Sequence, residues 1–204
     1  MSKIAIIGAT GRAGSQLLEE ALRRGHQVTA VARHATSLPA RAGLTTRDVD
    51  VLDASALPQA LAGHDAVFSA ARFSGIPAGA VIEAVKKAGV PRLLVVGGAA
   101  SLFVAPGQRL FDAPSFPAAY KAEAAAGAAY LETLRQEKDL DWTFLSPSAM
   151  FDGNERTGTF RLGHDDLLVG ADGSSRISFP DFAIAFIDEL ERPAHSRQRF
   201  TVGY

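Results

Sequence analysis

Short apolar runs alternate with longer amphipathic stretches along most of the chain. Lys3–Ile7 is a run rich in isoleucine that ends at Gly8. Residues 15–24 place Leu17, Leu18, Ala21 and Leu22 on one helical face and stop at Gly25, the residue favoured just past a helix end. Gln27–Ala32 predicts a second strand. Residues 44–51 contain a third, made less apolar by threonines and aspartates, and residues 55–61 predict a short helix. Residues 66–71 follow a Gly63-His64-Asp65 turn as a fourth strand. Residues 78–88 read as a helix closed by Gly89 and Pro91, and Arg92–Val96 reads as a fifth strand.

The second half is less regular. Residues 99–117 hold three prolines and little periodicity, a length that inside a compact domain usually marks a functional loop. Residues 118–138 are alanine-rich and helical, and 142–145 form a strand ended by Ser146-Pro147. Residues 151–178 carry many Gly, Asp, Ser and Arg and predict a small irregular lobe with short strands. Residues 180–191 form a helix that buries Phe182, Ala183, Phe186, Ile187 and Leu190, and 198–202 form a last strand. Strands alternating with helices imply a parallel sheet covered on both faces. Continuous apolar strands are what double burial requires, and right-handed crossovers then wind the sheet both ways. The expectation is a doubly wound α/β domain over residues 1–204, with 151–178 as a substrate-side lobe.

Composition adds limits. With 204 residues and 47% hydrophobic content, the chain can build one substantial core without a disulfide or metal staple. A net charge of −1 and no basic run give nucleic acid and anionic lipid nothing to bind. The absence of cysteine excludes a thiolate nucleophile and a cysteine zinc site. No apolar run approaches the ~20 residues of a membrane span, and no signal-peptide pattern precedes the first strand. A cytoplasmic protein acting on a small molecule is expected; composition assigns no oligomeric state.

The strongest motif is Gly8-Ala9-Thr10-Gly11-Arg12-Ala13-Gly14. Glycines in the pattern GxxGxxG are weak evidence alone, but here they follow a strand and open a helix, the context of a Rossmann-type dinucleotide site. Gly8 permits the tight turn, Gly11 leaves room for the pyrophosphate, and Gly14 allows helix and strand to pack closely. The helix end offers free N–H groups to phosphate, and Thr10 and Ala13 lie within the loop. An NAD site usually places an acid at the end of the second strand, to bind the ribose 2′-OH. That strand ends Val31-Ala32-Arg33-His34. Arg33, with Arg12 as a second cation, favours the 2′-phosphate of NADP(H) over NAD(H). Asp50 and Val51 border the adenine in this reading. Ala70 and Ala71 after strand four, and Gly97 and Gly98 after strand five, are small enough for close approach of ribose, pyrophosphate and nicotinamide.

These residues carry a family resemblance. GATGRAG at 8–14, VVGGAASL at 95–102, LDWTFLSPS at 140–148, SFPDFAIAFIDELERPAH at 178–195 and QRFTVGY at 198–204 span nearly the whole chain. The sequence resembles an atypical short-chain dehydrogenase/reductase of the NAD(P)H-binding, NADH-flavin reductase-like group. That group is related to biliverdin-IXβ reductase and to NmrA-like regulators. The resemblance implies about seven parallel strands, a nicotinamide near residues 97–99 and 147–149, Pro147 among them, and a substrate beneath the 99–117 loop and the 151–178 lobe. The lobe's shortness counts against a bulky nucleotide-sugar substrate.

The superfamily's usual catalyst is Tyr-x-x-x-Lys, its lysine one helical turn beyond the tyrosine. Here Tyr120 is followed four residues on by Ala124, and Lys121 is adjacent, about 100° around the helix. This disfavours chemistry that needs a tyrosinate, such as alcohol oxidation or sugar epimerisation. Reduction of a flat ring needs less, because the protein's main task is to orient two rings. Tyr120 and Ser101 are the candidate hydrogen-bond donors to the acceptor. Phe103, Phe111 and Phe116 either anchor the long loop or wall an apolar pocket. The favoured function is hydride transfer from NAD(P)H to a flavin (FMN or FAD as substrate), a quinone or a similar acceptor. An NmrA-like NADP(H) sensor without turnover is the alternative, and an epimerase or dehydratase is a third reading. The histidines lack metal-ligand spacing, so no metal is expected.

Overall fold

Apolar strands that recur between amphipathic helices must bury both faces, and the chain does so. The computed structural model describes residues 1–204. In chain order the strands are β1 (Lys3–Ile7), β2 (Gln27–Ala32), β3 (Leu44–Asp48), β4 (Ala66–Ser69), β5 (Arg92–Val96), β6 (Phe103–Ala105), β7 (Gln108–Arg109), β8 (Asp141–Ser146), β9 (Met150–Phe151), β10 (Arg161–Gly163), β11 (Arg176–Ile177) and β12 (Gln198–Gly203). The helices are α1 (Arg12–Arg23), α2 (Ala56–Leu61), α3 (Ala78–Lys87), α4 (Lys121–Gln136) and α5 (Phe179–Glu191). The main sheet has eight strands in the order β10-β12-β8-β5-β4-β1-β2-β3. Seven run parallel, and β10 pairs antiparallel with β12 at the edge.

Side-chain alternation splits the core between the two faces. Ile4, Ile6, Phe68 and Leu145 face α1 and α5 in a cluster of 23 buried residues. Ala5, Ile7, Val67 and Phe144 face α2, α3 and α4 in a cluster of 20. Clusters of similar size on both faces make this a doubly wound α/β domain of Rossmann type.

Several boundaries differ from the sequence expectation. Helix α1 begins at Arg12 rather than residue 15, because Gly8 (φ +78°) turns the chain directly into it. Arg12, Ala13 and Gly14 are therefore its first turn and not a loop. Strands β3 and β4 stop at Asp48 and Ser69, short of residues 51 and 71. Helix α4 starts at Lys121, since Pro117 is followed by a 3₁₀ turn over Ala118–Tyr120. Tyr120 thus precedes the helix that was expected to carry it.

The 99–117 stretch has its own structure. It forms the β6–β7 hairpin and a 3₁₀ turn at Leu110–Asp112. Phe103 N–H donates to the Asp165 carbonyl, and Leu167 N–H donates to the Phe103 carbonyl. In the 151–178 region, β9 and β11 pair with each other, whereas β10 belongs to the main sheet. This region is pinned to α5 by Asp181, a buried carboxylate that accepts from Thr157 N–H and Oγ1, Gly158 N–H and the Tyr204 hydroxyl.

Burial pushes the Asp181 carboxyl up, but hydrogen bonds from Thr157, Gly158 and Tyr204 outweigh it and hold it below its ordinary value. A depressed folded-state pKa stabilises above the unfolded value and is lost as pH falls through the folded one. Asp181→Asn removes charge-assisted bonds and is expected to cost about 1.5–3 kcal/mol at neutral pH. Urea unfolding from neutral to acid pH should show wild-type and variant stabilities converging as pH drops below the ordinary carboxylate range.

Candidate functional site

Strands β1 and β4 are neighbours, yet the helices that follow them pack on opposite faces of the sheet. That divergence opens a crevice at the carboxyl ends of the strands, where ligands bind in open α/β sheets. The glycine motif lies in it. Gly8 has φ +78°, and a side chain there would press on the Ala70 carbonyl, 2.8 Å from its Cβ. A side chain at Gly14 would overlap the Gly8 carbonyl oxygen and come 3.0 Å from the Ala9 Cα. Gly11 is different. Its Cβ would lie 3.2 Å from the Gly8 oxygen, a tight but yielding contact, and the residue is exposed. Gly8 and Gly14 are therefore demanded by the protein's own packing, and Gly11 leaves the rim of the turn low.

The N–H groups of Arg12, Ala13 and Gly14 meet no acceptor in the protein, no side chain caps α1, and no acid stands in its first turn. An uncapped helix end with free N–H groups suits a phosphate. Thr10 and Arg12 are exposed beside it, and the Arg12 guanidinium lies 4.9 Å above the Phe179 ring at the start of α5. Arg33 is exposed immediately after β2. Asp50 is exposed, and its Oδ1 accepts from Leu52 N–H at 2.9 Å, which leaves Oδ2 free. Val51 packs at the edge of the core under α2 and α3. Ala70 and Ala71 follow β4, with Ala70 N–H bound to the Ile7 carbonyl at 2.9 Å. These groups follow the carboxyl ends of β1, β2, β3 and β4.

Beyond the glycine turn the crevice deepens into a cleft of about 780 Å³. Arg12, Gly98, Ser101, Phe116, Tyr120 and Pro147 are among its lining residues, so the structure brings both candidate donors to one space with Arg12 of the glycine motif. Gly97 also borders it, but the reason for glycine there differs from the expectation. A Cβ at Gly97 would lie 2.7 Å from Phe144 Cδ1, so packing against a core ring of β8 already demands glycine there. Gly98 has nothing nearer than Phe73, at 3.9 Å, and remains open to the cleft.

Tyr120 is 65% exposed and borders the cleft. Ala124, one turn into α4, lines the same cleft with a methyl group. The Ser101 hydroxyl accepts from Arg199 Nη1 at 3.3 Å, which leaves its own proton free to donate. Arg199 is buried on β12 and bonded to Asp165. Burial lowers its guanidinium pKa by more than Asp165 raises it. Of the three loop phenylalanines, Phe116 walls the cleft and Phe111 packs on it at 5.5 Å, while Phe103 belongs to the hairpin.

Sequence reasoning missed Phe73, Glu123 and Gly127, all in the cleft wall. Glu123 accepts from the N–H groups of Phe73 (2.8 Å) and Ser74 (3.0 Å). Burial raises its carboxyl pKa, but bonds from Ser74 and Phe73 more than compensate and hold it below its ordinary value. The one available signal was Gly127, a glycine inside an alanine-rich helix that gains nothing in propensity from it.

The model of the NAD(P)H-binding family matches residues 8–190. A Bacteroides thetaiotaomicron structure provisionally named an epimerase is 45% identical, covers 99% of this chain and 96% of its own, and has a TM-score of 0.94. A Burkholderia pseudomallei structure provisionally named an exported protein is 44% identical over 100% of both chains, with a TM-score of 0.91. A Streptococcus pneumoniae structure provisionally named an NADH-flavin reductase is 35% identical over 100% of this chain and 99% of its own, with a TM-score of 0.87. Three names for one architecture leave the chemistry to be argued from the cleft. No helix is long and apolar enough to cross a membrane.

The glycine geometry makes a differential prediction. Gly14→Ala forces α1 off the Gly8 turn and should lower stability by about 1–3 kcal/mol, as overpacking does. Gly11→Ala should melt within a degree or two of wild type. Thermal denaturation followed by circular dichroism of the two variants checks the order.

Proposed function

We propose that this chain, which belongs to the NAD(P)H-binding family, is a reductase that passes hydride from NAD(P)H to a flavin, quinone or similar flat conjugated acceptor. The observation that carries the reading is Ala124. A methyl group lines the cleft where the usual lysine would stand, beside a tyrosine open to solvent. No lysine lines the cleft, so the reading is of chemistry that does not require a tyrosinate.

When bound, the reduced nicotinamide supplies the two electrons and the hydrogen as a hydride, and the acceptor's balancing proton comes from water. The chain's own residues bind and orient. The N–H groups of Arg12, Ala13 and Gly14 and the Arg12 guanidinium hold the pyrophosphate. Arg33 holds a 2′-phosphate, which favours NADP(H). Gly98 and Pro147 let a flat ring approach the ends of β5 and β8. Phe116, Pro117 and Leu110 exclude water from the other side. Ser101 donates to a carbonyl of the acceptor, with its oxygen held by Arg199, and Tyr120 is placed to donate at the mouth. Holding two rings in reacting geometry is the main catalytic contribution. We assign the protein to the cytoplasm, the compartment that maintains reduced nicotinamide, and cell fractionation checks this.

Mixing the protein with NADPH and then FMN, riboflavin or a quinone, while following the nicotinamide absorbance, should show turnover well above the uncatalysed rate. Tight binding of both NADP⁺ and NADPH with no turnover on any acceptor would instead make it a redox sensor. Arg33→Asp should weaken NADPH binding about tenfold or more, the loss of a charge-assisted contact, and leave NADH little changed. Equal affinities before and after the substitution would remove Arg33 from the cofactor site.

A further inference from the structure

We propose that Phe73 sets the cleft's preference for flat aromatic acceptors, and that Glu123 and Gly127 seat its ring in the cleft wall; this rests on the reductase reading above. Phe73 lies in the loop after β4, far in sequence from the α4 residues that hold it. Its N–H and that of Ser74 donate to the Glu123 carboxylate. Glu123 and Gly127 are four residues apart and so share one face of α4. A Cβ at Gly127 would lie 2.9 Å from Phe73 Cδ2. The helix therefore gives up its preferred alanine at this position to admit the ring.

The ring continues an aromatic stack that rises from the core. Phe144 fills the space left by Gly97. Phe73 lies over Phe144 at 6.0 Å between centroids and 21° between planes, and it meets Tyr130 at 5.1 Å. Tyr130 and Phe144 are buried in the core, while Phe73 is only half-buried and borders the cleft. Phe73 is thus the outermost member of the stack. A core ring is held by its neighbours alone, whereas this one is also fixed through its backbone by a carboxylate that itself lines the cleft. A flat conjugated acceptor finds in it a fixed aromatic surface, and aromatic rings attract one another beyond the area they bury. Phe73 contacts the acceptor; Glu123 and Gly127 are positioning residues that act through it.

Three variants test this: Phe73→Leu, which keeps apolar bulk without a ring; Phe73→Tyr, which keeps the ring; and Gly127→Ala, which pushes the ring from its seat. FMN binding is read from flavin fluorescence, NADPH binding by titration calorimetry, and KM and kcat with FMN from nicotinamide absorbance. Phe73→Leu and Gly127→Ala should raise the FMN Kd and KM by roughly three- to tenfold, the worth of one aromatic pair. Phe73→Tyr should stay within twofold, and the NADPH Kd should stay within twofold for all three. If Gly127→Ala fails to fold, the Leu and Tyr pair decides. If wild type binds and reduces FMN while Phe73→Leu does so equally well, the inference falls and the reductase reading stands. It falls also if Phe73→Leu loses NADPH affinity as much as FMN affinity, for the ring then serves the cofactor. If wild type neither binds nor reduces FMN, riboflavin or a quinone, the reductase reading fails and takes this inference with it.

Discussion

The structure depends on a contact between backbones: helix α1 rests on the Gly8 turn so closely that a single methyl at Gly14 would overlap the Gly8 carbonyl oxygen. Two consequences follow from that approach. The helix starts at Arg12, at once after the turn, so its free N–H groups open at the crevice between β1 and β4 and not a turn away from it. The turn itself is pressed against Ala70, which fixes the loop after β4 relative to the loop after β1. The same contact that closes the core aims the free N–H groups and the dipole of α1 at the crevice.

The cleft extends the same economy of side chains. Gly97 yields to Phe144, Gly127 yields to Phe73, and Gly98 alone among these three cleft-lining glycines has space over its Cα. The wall formed is about half apolar, and no lysine lines it. Glu123 is committed to backbone N–H groups, Ser101 is tied to Arg199, and Tyr120 is exposed to water. On the reading proposed above, its task is to orient one flat ring against another, which suits an acceptor already poor in electrons.

How much of this was legible from the chain depended on the distance over which each feature is determined. The order of strands and helices, the glycine motif and the want of a lysine after Tyr120 are local properties, readable from spacing. The start of α1 was not, because Gly11-Arg12-Ala13-Gly14 reads as a loop until packing against Gly8 draws it into the helix. Tyr120 was located but not its surroundings, since the 3₁₀ turn after Pro117 lifts it out of α4. The packing demand at Gly97 was not readable, because the ring that meets it comes from β8. Glu123 and Phe73, 50 residues apart, meet only in the fold. Strand β10 looked like part of an irregular lobe because its partner, β12, lies some 40 residues downstream.

The central claim is that hydride passes directly between two rings held in this cleft. It is tested most directly by anaerobic rapid mixing of the NADPH complex with FMN, recording nicotinamide and flavin absorbance in one transient. The account predicts that both signals decay with the same rate constant and that both slow together when the transferred hydrogen is deuterium. Loss of neither signal while FMN is demonstrably bound would contradict it.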